Sequence, residues 1–135
     1  MMKRFFLISM FSFLALALHA QELALANKAP AAEINWLESR TFDFGKIVKD
    51  QAAEHVFQFT NKGTEPLIIS SVKGSCGCTV TAFTKEPIPP GQTGEIKATY
   101  NAKSLGLFQK GITVISNAKE SPVMLYVKGE VVEGK

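Results

Sequence analysis

Cys76 and Cys78 are the only cysteines in the 135-residue chain and stand one residue apart. Soft sulfur at that spacing permits several chemistries. Residues i and i+2 of an extended segment project to one face, and Gly77 gives the backbone room to bend. The sulfurs can therefore meet as a local disulfide. They can instead hold Cu(I), the ion that thiolates select. A free thiol could act as a nucleophile, and a pair that merely packs is the plainest alternative. Closing so short a loop contributes only about 1.6 kcal/mol of chain entropy. A bond here would shape the loop or follow the redox state of the compartment rather than staple the fold. Zinc is disfavoured, because a closed site takes about four ligands; downstream of residue 20 only His55 joins the two cysteines.

His55 lies on the Ala53-Phe57-Phe59 side of an alternating segment. Two readings remain open: a hydrogen-bonded histidine at the core margin, or a general base for Cys76 or Cys78. The second needs strand and cysteine loop to be neighbours. Asp43-Phe44-Gly45 matches the metal-binding tripeptide of protein kinases, but no glycine-rich loop or catalytic loop accompanies it. It reads as a strand end with a glycine turn. Asp43 and Asp50 are the only aspartates, and no paired carboxylates of the glycosidase kind stand out. Trp36 and Tyr126 could line a ligand surface, although strand-core positions suit them better. The lysines are scattered, which suits solvated faces rather than a patch.

The elements that must position these residues read as strands. Downstream of Glu33 the pattern has period two. It covers a first strand from Ile34 through Trp36 toward Phe42, then Ala53–Thr60, Leu67–Val72, Thr79–Ala82, Ile96–Tyr100, Phe108–Ser116 and Val123–Val127 with a continuation to Val131. Asn61-Lys62-Gly63-Thr64 reads as a turn that tolerates positive φ. Pro87, Pro89, Pro90, Gly91 and Gly94 make a loop that cannot be helix. About seven strands with turns every 8–12 residues and no 3.6-residue periodicity predict an all-β sandwich.

The N-terminus is an address. Lys3-Arg4 precedes an apolar run from Phe5 to Leu18, and Ala20 offers a small residue before Gln21. This is the three-part pattern of a secretory signal peptide over residues 1–20. The run is short for a span of about 20 apolar residues, so no transmembrane segment is expected after cleavage. Ala24-Leu25-Ala26 is a second possible cut, which places cleavage between 20 and 26. Residues 21–32 read as a flexible lead-in and 33–135 as the domain. Export places the mature chain in the periplasm or outside the cell, where disulfides form. The formal charge of +3 falls to +1 without Lys3 and Arg4, since 13 Lys+Arg then face 12 Asp+Glu. A nearly neutral domain has no electrostatic footprint for nucleic acid.

Phe42-Asp43-Phe44-Gly45-Lys46-Ile47, Phe57-Gln58-Phe59-Thr60-Asn61-Lys62-Gly63, Pro66-Leu67-Ile68-Ile69, Ser75-Cys76-Gly77-Cys78-Thr79, Pro90-Gly91 and Lys128-Gly129-Glu130-Val131 together resemble a secreted bacterial family, domain-of-unknown-function family 1573. The resemblance covers roughly residues 38–132, and its most specific string runs from Ser75 to Thr79. It implies an immunoglobulin-like antiparallel sandwich, similar to domains of cilia- and centrosome-associated proteins and of major sperm protein. It brings no activity. One histidine downstream of residue 20 and no phosphate loop leave little from which to build a catalytic site. The expected function is an exported, non-catalytic module that binds an envelope or secreted protein through a strand edge. It needs no cofactor. The alternative is a periplasmic protein that handles Cu(I) or exchanges thiols through Cys76 and Cys78.

Overall fold

The computed structural model describes residues 29–135. The signal peptide read at 1–20 and most of the lead-in lie outside the described residues. Eight strands follow in order: β1 (Ile34–Trp36), β2 (Thr41–Val48), β3 (Ala53–Asn61), β4 (Ile69–Gly74), β5 (Thr79–Phe83), β6 (Thr93–Tyr100), β7 (Gly106–Ser116) and β8 (Val123–Val132). They form two four-stranded sheets, ordered β1-β3-β6-β5 and β2-β8-β7-β4. The all-β sandwich is as the alternation predicts, with eight strands in place of about seven. Among the described residues no helix is long and apolar enough to cross a membrane.

Alternation positions the core. Phe57 and Phe59 of β3, Ile96 and Ala98 of β6, Ile112 and Val114 of β7, and Val123, Leu125 and Val127 of β8 are all buried between the sheets. Their neighbours along each strand face outward. A smaller cluster of Tyr100, Ala102 and Val131 closes one end, with Phe44, Ile47, Cys78 and Phe108 packed against it.

Several expectations shift. The first strand is two, because Leu37–Arg40 carries the chain from one sheet to the other, and β2 pairs with β8 in parallel. The sandwich is therefore antiparallel at every strand pair but one. Gly94 belongs to β6, not to the proline loop: a side chain there would meet the Phe59 ring at 2.7 Å. Tyr126 is on the outward register, opposite Gly111, and its ring lies over that glycine rather than in the core. Asn61 does not turn the chain with positive φ; Asp50 and Ala102 are the described non-glycine residues that do. Residues just upstream of 33 contact the sandwich. Ala31 accepts a hydrogen bond from the Thr64 N–H at 2.9 Å, and Ala32 is buried and bridges to Ala118.

Candidate functional site

The Ser75–Thr79 string is the corner at which the chain leaves one sheet for the other. β4 edges the β2-β8-β7-β4 sheet and β5 edges the other. The Ser75 N–H donates to the Gly111 carbonyl at 2.9 Å, which extends the β4–β7 ladder to the corner. The Thr79 N–H turns back to the Cys76 carbonyl at 3.3 Å, and the Asn101 N–H donates to the Cys78 carbonyl at 3.0 Å. Both ends of the corner are thus tied down.

Between those ties Cys76 and Cys78 are bonded to one another, with their Cα atoms 5.3 Å apart. The segment is a turn closed by that Thr79–Cys76 bond, not the extended stretch that the i, i+2 spacing suggested, and the turn brings the sulfurs together. The two residues are not equivalent. Cys78 packs against the Tyr100, Ala102 and Val131 cluster, whereas Cys76 belongs to neither core cluster. Bonded sulfurs present no thiolate, so Cu(I) would require the reduced pair. Gly77 is exposed. Its φ is not positive, and a Cβ there would find no atom within 4 Å apart from its chain neighbours Cys76 and Cys78. Neither backbone strain nor crowding calls for glycine at this position. Thr79 is buried with its Oγ1 unpaired. Gly74 does answer to crowding, because a Cβ there would stand 2.7 Å from the Thr79 carbonyl oxygen.

His55 does not join this site. It lies on β3, and β6 separates β3 from β5. Its ring stacks on Phe42 at 3.6 Å between centroids, and Phe57 meets it edge-on at 4.7 Å. Its Nε2 is 2.9 Å from the Glu38 Oε2. Asp43 and Gly45 form a bulge in β2, where the register with β8 shifts. The Asp43 Oδ1 accepts the Gly45 N–H at 2.8 Å, and Gly45 has φ +66°. Among the described residues no group of three or more His, Cys, Asp or Glu converges.

The cysteine corner opens directly onto β5, and β5 differs from the other sheet edges. β1 has three residues. β2 is broken by its bulge, and β4 shifts register between Ile69 and Ser71. β5 keeps unbroken register with β6 from Thr79 to Phe83. The Asn101–Cys78 bond and the Thr84 N–H to Glu95 carbonyl bond at 3.1 Å fix the phase of that ladder. Residues 78, 80, 82 and 84 turn their backbone groups to β6, so Thr81 and Phe83 turn theirs outward. Thr81 also donates its hydroxyl to the outward carbonyl of Val72 on β4 at 2.9 Å, latching the two edges together. Beside the edge a small cleft of about 180 Å³ is lined by Ala82, Phe83, Thr84, Glu86, Glu95 and Lys97. The sequence shows β5 as a strand but cannot show that it is an edge, which depends on strand order.

The model of one family, described as protein of unknown function (DUF1573), matches residues 35–131. A search of curated proteins finds no match. Among solved structures, a protein of unknown function from Porphyromonas gingivalis W83 is similar at TM-score 0.66 and 19% identity, over 76% of this chain and 48% of that one. The chain thus spans about half the length of that relative. The ASH / PapD-like domain 7 of human CEP192 is similar at TM-score 0.61 and 13% identity, over 81% of this chain and 92% of that one. The secreted serine protease VesC from Vibrio cholerae is similar at TM-score 0.53 and 13% identity, over 82% of this chain and 25% of that one. At these identities the likeness shows a shared immunoglobulin-like fold.

Proposed function

Because this chain belongs to the DUF1573 family, whose description assigns no activity, we propose from its own geometry that it is a non-catalytic binding module. It takes an extended segment of an envelope or secreted protein onto the β5 edge. The observation that carries this reading is the unbroken β5 register beside three edges that are short or bulged. Short and bulged edges resist strand addition, whereas a regular edge offers a row of unpaired N–H and C=O groups. Backbone pairing would supply affinity, and the cleft at Ala82 and Phe83 would select a small side chain of the incoming strand. No cofactor is required. The Lys3-Arg4 head and apolar run of the N-terminus support export, and the VesC likeness shows that the fold serves in a secreted protein.

Strand β8 is not the binding edge. It lies between β2 and β7, so proline within Val123–Val127 would break the sheet rather than a contact. The test belongs at Thr81. Thr81→Pro removes an outward N–H that β6 does not use, while Thr81→Val keeps it and removes only the hydroxyl. Envelope extract passed over immobilised protein should yield a partner held by wild type and by Thr81→Val, and lost with Thr81→Pro. Equal capture by the proline variant, with its circular dichroism unchanged, would refute the edge.

A further inference from the structure

The Cys76–Cys78 bond contributes little to holding this molecule together. So short a loop removes little entropy from the unfolded chain, and neither cysteine belongs to the main core cluster. The corner around it is nevertheless fixed at both ends by the Ser75, Thr79 and Asn101 backbone bonds. At its apex Gly77 leaves the approach bare where neither φ nor packing asks for glycine. Glycine in such a place serves the close approach of something else to the backbone. Cys78 immediately precedes Thr79, the first residue of β5, so a segment laid along that edge reaches the corner.

We propose that Cys76–Cys78 is a thiol–disulfide exchange site whose substrate is an extended polypeptide segment bearing two thiols. The choice of an extended segment rests on the β5 reading; the exchange chemistry does not. A substrate thiolate attacks the Sγ of Cys76, the cysteine that belongs to neither core cluster. A substrate–Cys76 disulfide forms, the Cys76–Cys78 bond breaks, and Cys78 leaves as a thiolate that takes a proton from water. The second substrate thiol gives its proton to water and attacks the substrate sulfur of that mixed disulfide. Cys76 then leaves as a thiolate and is protonated. The substrate dithiol is oxidised to a disulfide, and the Cys76–Cys78 disulfide is reduced to two thiols. The same steps reversed against a disulfide-bearing segment restore the oxidised site. Attack falls on Cys76 because Cys78 is packed against the Tyr100 cluster, and access decides which sulfur is attacked.

The test uses the folded chain and two synthetic peptides with paired cysteines. One is rich in Thr and Val; the other has proline at alternate positions and cannot pair with an edge. Against the disulfide form of the first peptide, Cys78→Ser should accumulate a mixed disulfide at Cys76 about tenfold faster than Cys76→Ser accumulates one at Cys78. Equal rates would overturn the assignment of Cys76. With oxidised wild type, the reduced Thr/Val peptide should react about tenfold faster than the proline peptide, and Thr81→Pro should erase that difference. Fast, Cys76-selective exchange with both peptides alike would uphold the exchange site and remove the β5 substrate claim. No exchange with either peptide or with glutathione would overturn the exchange site, leaving edge binding to the capture experiment. Gly77→Val, with an unchanged urea midpoint, should slow the peptide reaction; an unchanged rate would defeat the argument from the bare approach.

Discussion

Asn61 is fully buried and uses every polar atom of its side chain. Its amide donates to the carbonyls of Glu65 and Ile88 at 2.8 and 2.9 Å. Its Oδ1 accepts the N–H groups of Gly63 and Glu33 at 2.9 and 3.3 Å. One side chain thus joins the entry to β1, the β3–β4 turn and the proline loop. Each buried group left unpaired costs about 1–3 kcal/mol, so Asn61→Ala should lose about 3 kcal/mol or more by urea unfolding. A loss under about 1 kcal/mol would mean that water replaces those bonds. The glycines divide in the same experiment. A Cβ on Gly129 would stand 2.7 Å from the Gly45 carbonyl oxygen and 3.0 Å from the Phe108 ring. Gly129→Ala should cost about 1–3 kcal/mol of overpacking, whereas Gly77→Ala meets nothing. Replacing both cysteines by serine should cost no more than about 2 kcal/mol. Total loss of folding in that double variant would make the disulfide a staple after all. The sequence marked Gly77 and Asn61 as turn chemistry. It could not show that one is unconstrained and the other a hub, because both facts depend on residues far along the chain.

For β5, the ladder phase makes a direct claim about single amides. The N–H of Ala82 bonds across to Lys97, whereas those of Thr81 and Phe83 point away from β6. Hydrogen exchange followed by NMR should therefore find Ala82 protected and Thr81 and Phe83 fast, with those two slowing when a strand-forming peptide is added. Protection of all three in the free protein would show the edge already covered. Period-two alternation made β3, β6 and β8 legible, since Phe57, Ile96 and Leu125 repeat on one face. The same signal could not reveal that β2 runs parallel to β8. Alternation records which face a residue takes, not which strand lies beside it or in what direction. For that reason the closeness of the two cysteines, a local matter of i and i+2, was readable, although the sequence left open what they do. The standing of β5 as an edge and of β8 as an interior strand was not.

At the scale of the whole molecule the question is where the folded body starts and what processing leaves attached to it. If the chain is exported, its mature N-terminus should fall between Gln21 and Asn27, as N-terminal sequencing of exported material would show; a start at Met1 would refute cleavage. Any such cut leaves Ala31 and Ala32 in place, and both contact the folded body. Ala32 is buried between the Gly63 turn and Ala118. Its carbonyl accepts the Lys119 N–H at 3.3 Å, and the Ala31 carbonyl accepts the Thr64 N–H at 2.9 Å. Gly63 is obligatory here, because a side chain on it would collide with the Ala31 carbonyl and the Ala32 Cα. Two backbone bonds at about 0.5–1.5 kcal/mol each and one buried methyl at about 0.8 kcal/mol are at stake. A chain beginning at Lys28 should therefore melt with the full mature form. A chain beginning at Glu33 should melt roughly 7–30 °C lower, given about 4–8 °C per kcal/mol in a domain of this size. Equal melting temperatures for the two would return Ala31 and Ala32 to the lead-in and set the boundary of the domain at Glu33.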